Sequence, residues 1–159
     1  MVWLAWVSGS LLCFGCTRGP FGGGAYVLRA KSVAKVRETP DVYKLVMQAT
    51  GGRELPDNAT GISLFKAEGI DGTYYLIFTT DETEMENFVE SYTRKPLCKL
   101  ASTPLESVLI TFSKKNISLP KRAYSFLEPA TRIENGRYFN ESGCEMAVDV
   151  DNHIFYIAK

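Results

Sequence analysis

The sequence contains one histidine, His153, and two tryptophans, Trp3 and Trp6, both at its N-terminal end. It also lacks any surplus of charge, because 18 basic and 18 acidic residues cancel. A lone histidine cannot supply a histidine metal site, and no nucleophile stands at a recognisable spacing from it. Without an excess of Lys and Arg there is no footprint for neutralising phosphates, which excludes a nucleic-acid binder, and little to adsorb the chain to anionic lipid. No G-x-S-x-G, phosphate loop, Cys-His pair or metal-ligand spacing occurs. Asp149-Val150-Asp151-Asn152 is like a fragment of a calcium loop, but the glycine and distal glutamate such a loop needs are absent, so it reads as a solvated turn. The acidic run Asp81, Glu82, Glu84, Glu86 reads as a charged hairpin tip, not an acid–base pair. These absences point away from catalysis and imply no cofactor.

What is present suits one domain. The chain has 159 residues, 45% of them hydrophobic and 12% aromatic. A chain of this size buries roughly two-thirds of its unfolded surface, enough for a real core. Val2 to Phe14 is uncharged and mostly apolar, followed by Gly15 and Cys16. It is too short to span a bilayer and fits the h-region of a secretory signal, although no Lys or Arg follows Met1. A lipoprotein signal lipidated at Cys16 and an atypical first exon are the other readings. The expected organisation is a leader over 1–20 and a single domain over 21–159, extracellular and monomeric.

The remaining cysteines and the sequons agree with that compartment. Cys98 and Cys144 make an even pair, expected as one disulfide; the alternative is two free buried thiols in a cytosolic chain. Three N-x-S/T acceptors, at Asn58, Asn116 and Asn140, are expected at the surface as glycosylation sites.

Along the chain, Ala25 to Arg37 fits a strand or a helix. Val42 to Thr50 alternates, with Tyr43, Leu45, Met47 and Ala49 on one face, and predicts a strand. Ile62–Ile70 and Thr73–Thr80 flank Asp71-Gly72, which favours a two-residue type I′ hairpin turn. A further strand is expected through Phe88, Val89 and Tyr92. The period then changes: Thr103-Pro104-Leu105-Glu106 opens a capped helix with Leu105, Val108, Leu109 and Phe112 on one stripe. Ala123–Leu127 and His153–Ala158 complete the set as short strands.

This order resembles the second half of a lipocalin. Tyr92-Thr93-Arg94 stands where that family's third, arginine-bearing motif would be, Gly72 to Phe78 resembles its second motif, the helix after Pro104 resembles its single helix, and Cys144 its C-terminal half-cystine. The likeness covers about Gly61 to Cys144. The hallmark Gly-x-Trp of the first strand is absent after the leader, so Arg94 would lack its usual packing partner. The resemblance implies a mainly β fold, an antiparallel up-and-down barrel with one helix packed outside, incomplete at its first strand. It implies secreted transport of a small hydrophobic molecule held in the barrel cavity, with Arg94 as a structural, barrel-closing residue. Period-two counting then nominates Tyr75, Ile77, Phe88 and Tyr92 as cavity-lining residues, with Glu90 as a polar contact.

Two other readings stand beside it. Gln48-Ala49-Thr50-Gly51-Gly52 resembles the Gln-x-Val-x-Gly hairpin of cystatins, which implies a secreted inhibitor of cysteine proteases. Exposed aromatics on a glycosylated β scaffold would equally serve a protein-interaction domain with a protein receptor as partner.

Overall fold

A computed structural model describes residues 15–18, 24–67, 73–102, 133–141 and 143–159. Among these the protein is mainly β. Strands β1 (Gly15–Arg18), β2 (Gly24–Ser32), β3 (Thr60–Ala67), β4 (Thr73–Thr79), β5 (Ala101–Ser102), β6 (Gly136–Glu141), β7 (Cys144–Asp149) and β8 (Ile154–Ala158) form one antiparallel sheet. Its order is β1-β2-β3-β4-β8-β7-β6-β5. β1 lies within the stretch expected as a leader. β1 and β5 are edge strands, and no pairing closes the sheet into a barrel among the described residues.

The order departs from the expected up-and-down meander at one place. After β4 the chain leaves for the far edge and returns through β6 and β7, so β8 pairs with β4, with Phe155 opposite Phe78 and Ala158 opposite Tyr75. The β3–β4 hairpin is present, but Ala67 stands opposite Thr73. This register is not the one a two-residue turn at Asp71-Gly72 sets, which would put Ile70 opposite Thr73, and register decides which side chains share a face. The helix expected after Thr103 and the strand over Ala123–Leu127 lie outside the described residues, as do the turn residues Asp71 and Gly72.

Two segments expected as strands, Val42 to Thr50 and the one through Phe88 and Tyr92, are helices, and Ala25 to Arg37, which fitted either, is strand up to Ser32 and helix after it. α1 (Val33–Arg37) and α2 (Pro40–Ala49) lie between β2 and β3. The residues of α2 fit both periods: Tyr43, Leu45, Met47 and Ala49 alternate, but Val42, Val46 and Ala49 recur at helical spacing, and those three are buried. Pro40 at the start, where no N–H is needed, and Asp41 in the first turn complete a helix N-terminus. The segment through Phe88 and Tyr92 is α3 (Glu82–Thr93). Asp81 caps it, its carboxylate accepting from the Glu84 amide at 2.8 Å, and Glu82 and Glu84 sit in the first turn where the helix dipole favours them. The acidic run is thus a helix start, not a hairpin tip. Met85, Phe88, Val89 and Tyr92 form its buried stripe.

The helices share one core with one face of the sheet. Strand pairing places Leu28, Ala30, Ile62, Leu64, Leu76, Phe78, Phe155, Ile157, Met146 and Val148 on a common face, and all join the buried stripes of α1, α2 and α3 in a single cluster. Phe78 stacks on Phe155 at 4.7 Å between centroids, and Phe88 meets both edge-on at 5.3 and 5.2 Å. Each aromatic pair adds about 0.5–1.5 kcal/mol beyond the area it buries. The opposite face is buried as well along its centre, through Phe65, Tyr75, Ala147, Tyr156, Ala158, Glu145 and Asp149.

Candidate functional site

The nominated cavity residues do not converge. Tyr75 and Ile77 lie on the sheet face away from the helices, Tyr75 buried beside Phe65 and Ile77 half-buried. Phe88 and Tyr92 belong to the core on the other face, and Glu90 is exposed on the outside of α3. Counting in twos fails for them because α3 advances about 100° per residue, so 88 and 92 share a face while 90 does not. Arg94 closes no barrel. It is the exposed left-handed C-cap of α3, at φ 57°, its amide donating to the Glu90 carbonyl at 2.8 Å.

Cys98 and Cys144 are free thiols and not a disulfide: Cys98 is exposed in the 3-10 turn Leu97–Lys99, and Cys144 is half-buried at the start of β7. The Tyr92 hydroxyl is buried, and among the described residues its one polar neighbour is the weakly hydrogen-bonding Cys144 thiol. Burial first, and the thiol next, push the phenol well above its ordinary range, while the Arg53 guanidinium, 4.9 Å from the ring centroid, opposes the shift. Burial also raises Tyr75, with the Glu145 carboxylate adding to it.

Of the sequons, Asn58 and Asn140 are exposed, and Asn116 lies outside the described residues. The Asn58 side chain is engaged: its amide nitrogen donates to Asp81, and its carbonyl accepts from the Thr80 hydroxyl at 2.6 Å. Asn140 donates to Glu145 at 3.3 Å. Asp149 to Asn152 forms the β7–β8 turn, but Asp149 is buried, accepting from the backbone and side-chain nitrogens of Asn152 at 3.2 and 2.9 Å. His153 follows at φ 53°. Among the described residues no three His, Cys, Asp or Glu side chains group as a metal site, and no helix is long and apolar enough to cross a membrane.

A concave surface does form at the end of α2. It is an open cleft of about 660 Å³ lined by Lys44, Met47, Gln48, Gly51, Gly52, Tyr74 and Lys159. Val42, Val46 and Ala49 point α2 into the core, which turns Lys44, Met47 and Gln48 outward along the cleft. The helix ends because Gly51 and Gly52 take φ 68° and 87°, conformations L side chains rarely adopt. Their amides donate to the Gln48 and Met47 carbonyls at 3.2 and 2.7 Å. The cystatin-like segment Gln48–Gly52 is therefore a helix end and not a hairpin tip.

The other wall comes from the sheet. Tyr74 and Lys159 exchange backbone hydrogen bonds of 2.8 and 3.0 Å, extending the β4–β8 ladder by one pair. The Tyr74 hydroxyl donates to Gln48 Oε1 at 2.7 Å, tying that wall to α2. Lys66 stands opposite Tyr74 in the β3–β4 ladder with its ammonium 5.3 Å from the ring centroid. A Cβ on Gly51 would come within 3.1 Å of Lys159 Nζ, so this ammonium lies against the helix end. The ion pairs among the described residues are Lys35–Glu38, Arg37–Glu54 and Arg37–Asp57, and none includes Lys44, Lys66 or Lys159. In the sequence Met47 stands out only on one face of an expected strand, Gln48, Gly51 and Gly52 only in the cystatin-like segment and Tyr74 only within the lipocalin-like Gly72 to Phe78, while Lys44, Lys66 and Lys159 belong to no motif.

A scan against protein-family models, a search of curated proteins and a search of solved structures each found no match to this chain.

Proposed function

We propose that this protein is a secreted carrier that binds a small hydrophobic molecule in the cleft between α2 and the ends of β4 and β8, with binding and not catalysis as its activity. The observation that carries this reading is the cleft itself. Its volume falls in the range of about 300–1,000 Å³ usual for small-molecule sites, and Met47, the Tyr74 ring and the aliphatic stems of two lysines supply apolar contact. The hydrogen bond from Tyr74 to Gln48 holds its two walls in register. An open cleft leaves part of a ligand in water, so affinity in the micromolar range, about −8 kcal/mol or weaker, is expected.

The lipocalin resemblance contributes the class of ligand to this proposal. Its barrel cavity is replaced, because the nominated lining residues lie on opposite faces of the sheet. Secretion and glycosylation rest on the apolar leader and the three sequons. Native mass spectrometry of the protein secreted from a eukaryotic host tests the proposal. The expected result is a monomer, its leader removed, carrying a small molecule that leaves on denaturation and is lost in a Met47→Ala/Tyr74→Ala variant. A clean, ligand-free glycoprotein would sink the carrier reading in favour of a protein-binding role.

A further inference from the structure

We infer that the molecule held in this cleft carries an anionic head, a carboxylate or phosphate, on an apolar body, with Lys44, Lys66 and Lys159 gathered around the head. This rests on the carrier reading above and specifies its ligand. Three separate elements deliver the ammoniums. Lys44 comes from α2, Lys66 from β3 opposite Tyr74, and Lys159 from the residue paired with Tyr74 beyond β8. Period two puts Lys66, Tyr74 and Lys159 on the helix side of the sheet, the side α2 occupies.

Charge balance favours an anion there. Among the described residues none of the three ammoniums has an ion-pair partner, while Glu38, Glu54 and Asp57 are engaged with Lys35 and Arg37. The opposing influence is the C-terminus of α2, equivalent to about half a negative charge. Its Met47 and Gln48 carbonyls already accept from Gly52, Gly51 and the Thr50 hydroxyl, which blunts that effect further. Three full positive charges outweigh it. With the Tyr74 hydroxyl donating to Gln48 Oε1, the Gln48 amide nitrogen is left as an additional donor. Met47 and the Tyr74 ring then face the body of the ligand, and the bare backbone at Gly51 and Gly52 allows close approach.

Titration calorimetry of the full chain with decanoate, decanol and decyltrimethylammonium tests this, since the three share a tail and differ in head charge. Exposed ion pairs are individually weak, so three together should favour decanoate over decanol by about tenfold, a preference that shrinks as salt rises. A Lys44→Gln/Lys66→Gln/Lys159→Gln variant, changing only exposed or half-exposed side chains, should bind decanoate no better than decanol while melting as the parent does. Equal binding of decanoate and decanol by the parent overturns the anionic head but leaves a carrier. A decanoate preference that survives the triple substitution overturns the assignment to these lysines. Failure of all three compounds to bind removes the carrier reading itself. Co-sedimentation with phosphatidylserine vesicles in the absence of decanoate binding overturns the inference in favour of a membrane surface.

Discussion

Arg94 holds φ 57° at the end of α3, a conformation in which an L side chain crowds the backbone and glycine does not. Its side chain is exposed, so nothing offsets that cost. Arg94→Gly is expected to raise stability by about 0.5–1 kcal/mol, read as a higher urea midpoint at unchanged slope. A barrel-closing arginine would show the opposite sign. Tyr92 offers a second contrast. Its ring packs against Phe88 and Phe139 at 5.8 and 6.1 Å, but its buried hydroxyl has only the weak Cys144 thiol for a partner among the described residues. Tyr92→Phe should therefore leave stability unchanged or raise it by up to about 1 kcal/mol, while Phe88→Ala, which opens the core beneath two further rings, should cost about 3–5 kcal/mol. Chemical denaturation of both variants separates a core role from a ligand-lining one.

At the scale of elements, α3 depends on Asp81 twice. The carboxylate caps the helix through the Glu84 amide and receives the Asn58 amide from the loop before β3. Asp81→Ala should cost about 1–2 kcal/mol, mostly as lost capping. Asn58→Asp keeps the size of the side chain but sets two carboxylates against each other. Like charges favour protonating one of the pair in the fold, so the deficit should be full at neutral pH, shrink as pH falls towards about 4, and be gone below it. Thermal melts of the variant and parent across pH 3–7 check this; a constant difference would mean that Asn58 and Asp81 do not touch. The same arrangement bears on glycosylation, since the Asn58 amide is already used in the folded protein.

For the molecule as a whole, burial of the sheet on both faces has a consequence at alkaline pH. Burial pushes Tyr156 up to about 12 from an ordinary value of 10.0, the Asp149 carboxylate adding to the shift, and Tyr75 and Tyr92 are raised in the same direction. A raised phenol means the folded state keeps a proton that the unfolded chain releases. Stability should therefore be flat up to about pH 10 and fall between pH 10 and about 12, where the unfolded tyrosines ionise first. Tyr156→Phe should make that fall shallower, which urea unfolding at stepped pH will show.

Much of the local structure can be read from the chain. The β3–β4 hairpin follows from its aromatic and β-branched arms, and α3 from Asp81-x-x-Glu84 followed by Met85, Phe88, Val89 and Tyr92, a pattern that reads as a strand only when every second residue is counted from Tyr92. In α2 the apolar residues satisfy both periods, and burial of Val42, Val46 and Ala49 against the sheet decides between them. The hairpin register is another such case: Asp71-Gly72 allows a two-residue turn, yet the ladder sets Ala67 opposite Thr73. The cleft belongs wholly to the tertiary structure. Lys44, Tyr74 and Lys159 are far apart in the chain and no motif links them, and they meet because β8 pairs with β4 while α2 packs across the same face. Composition and local pattern determined that this chain would be mainly β with a hydrophobic core, because those depend on which residues neighbour each other in sequence. Strand order, faces and the site were decided by long-range pairing, because only the whole fold determines which strand ends come to lie side by side.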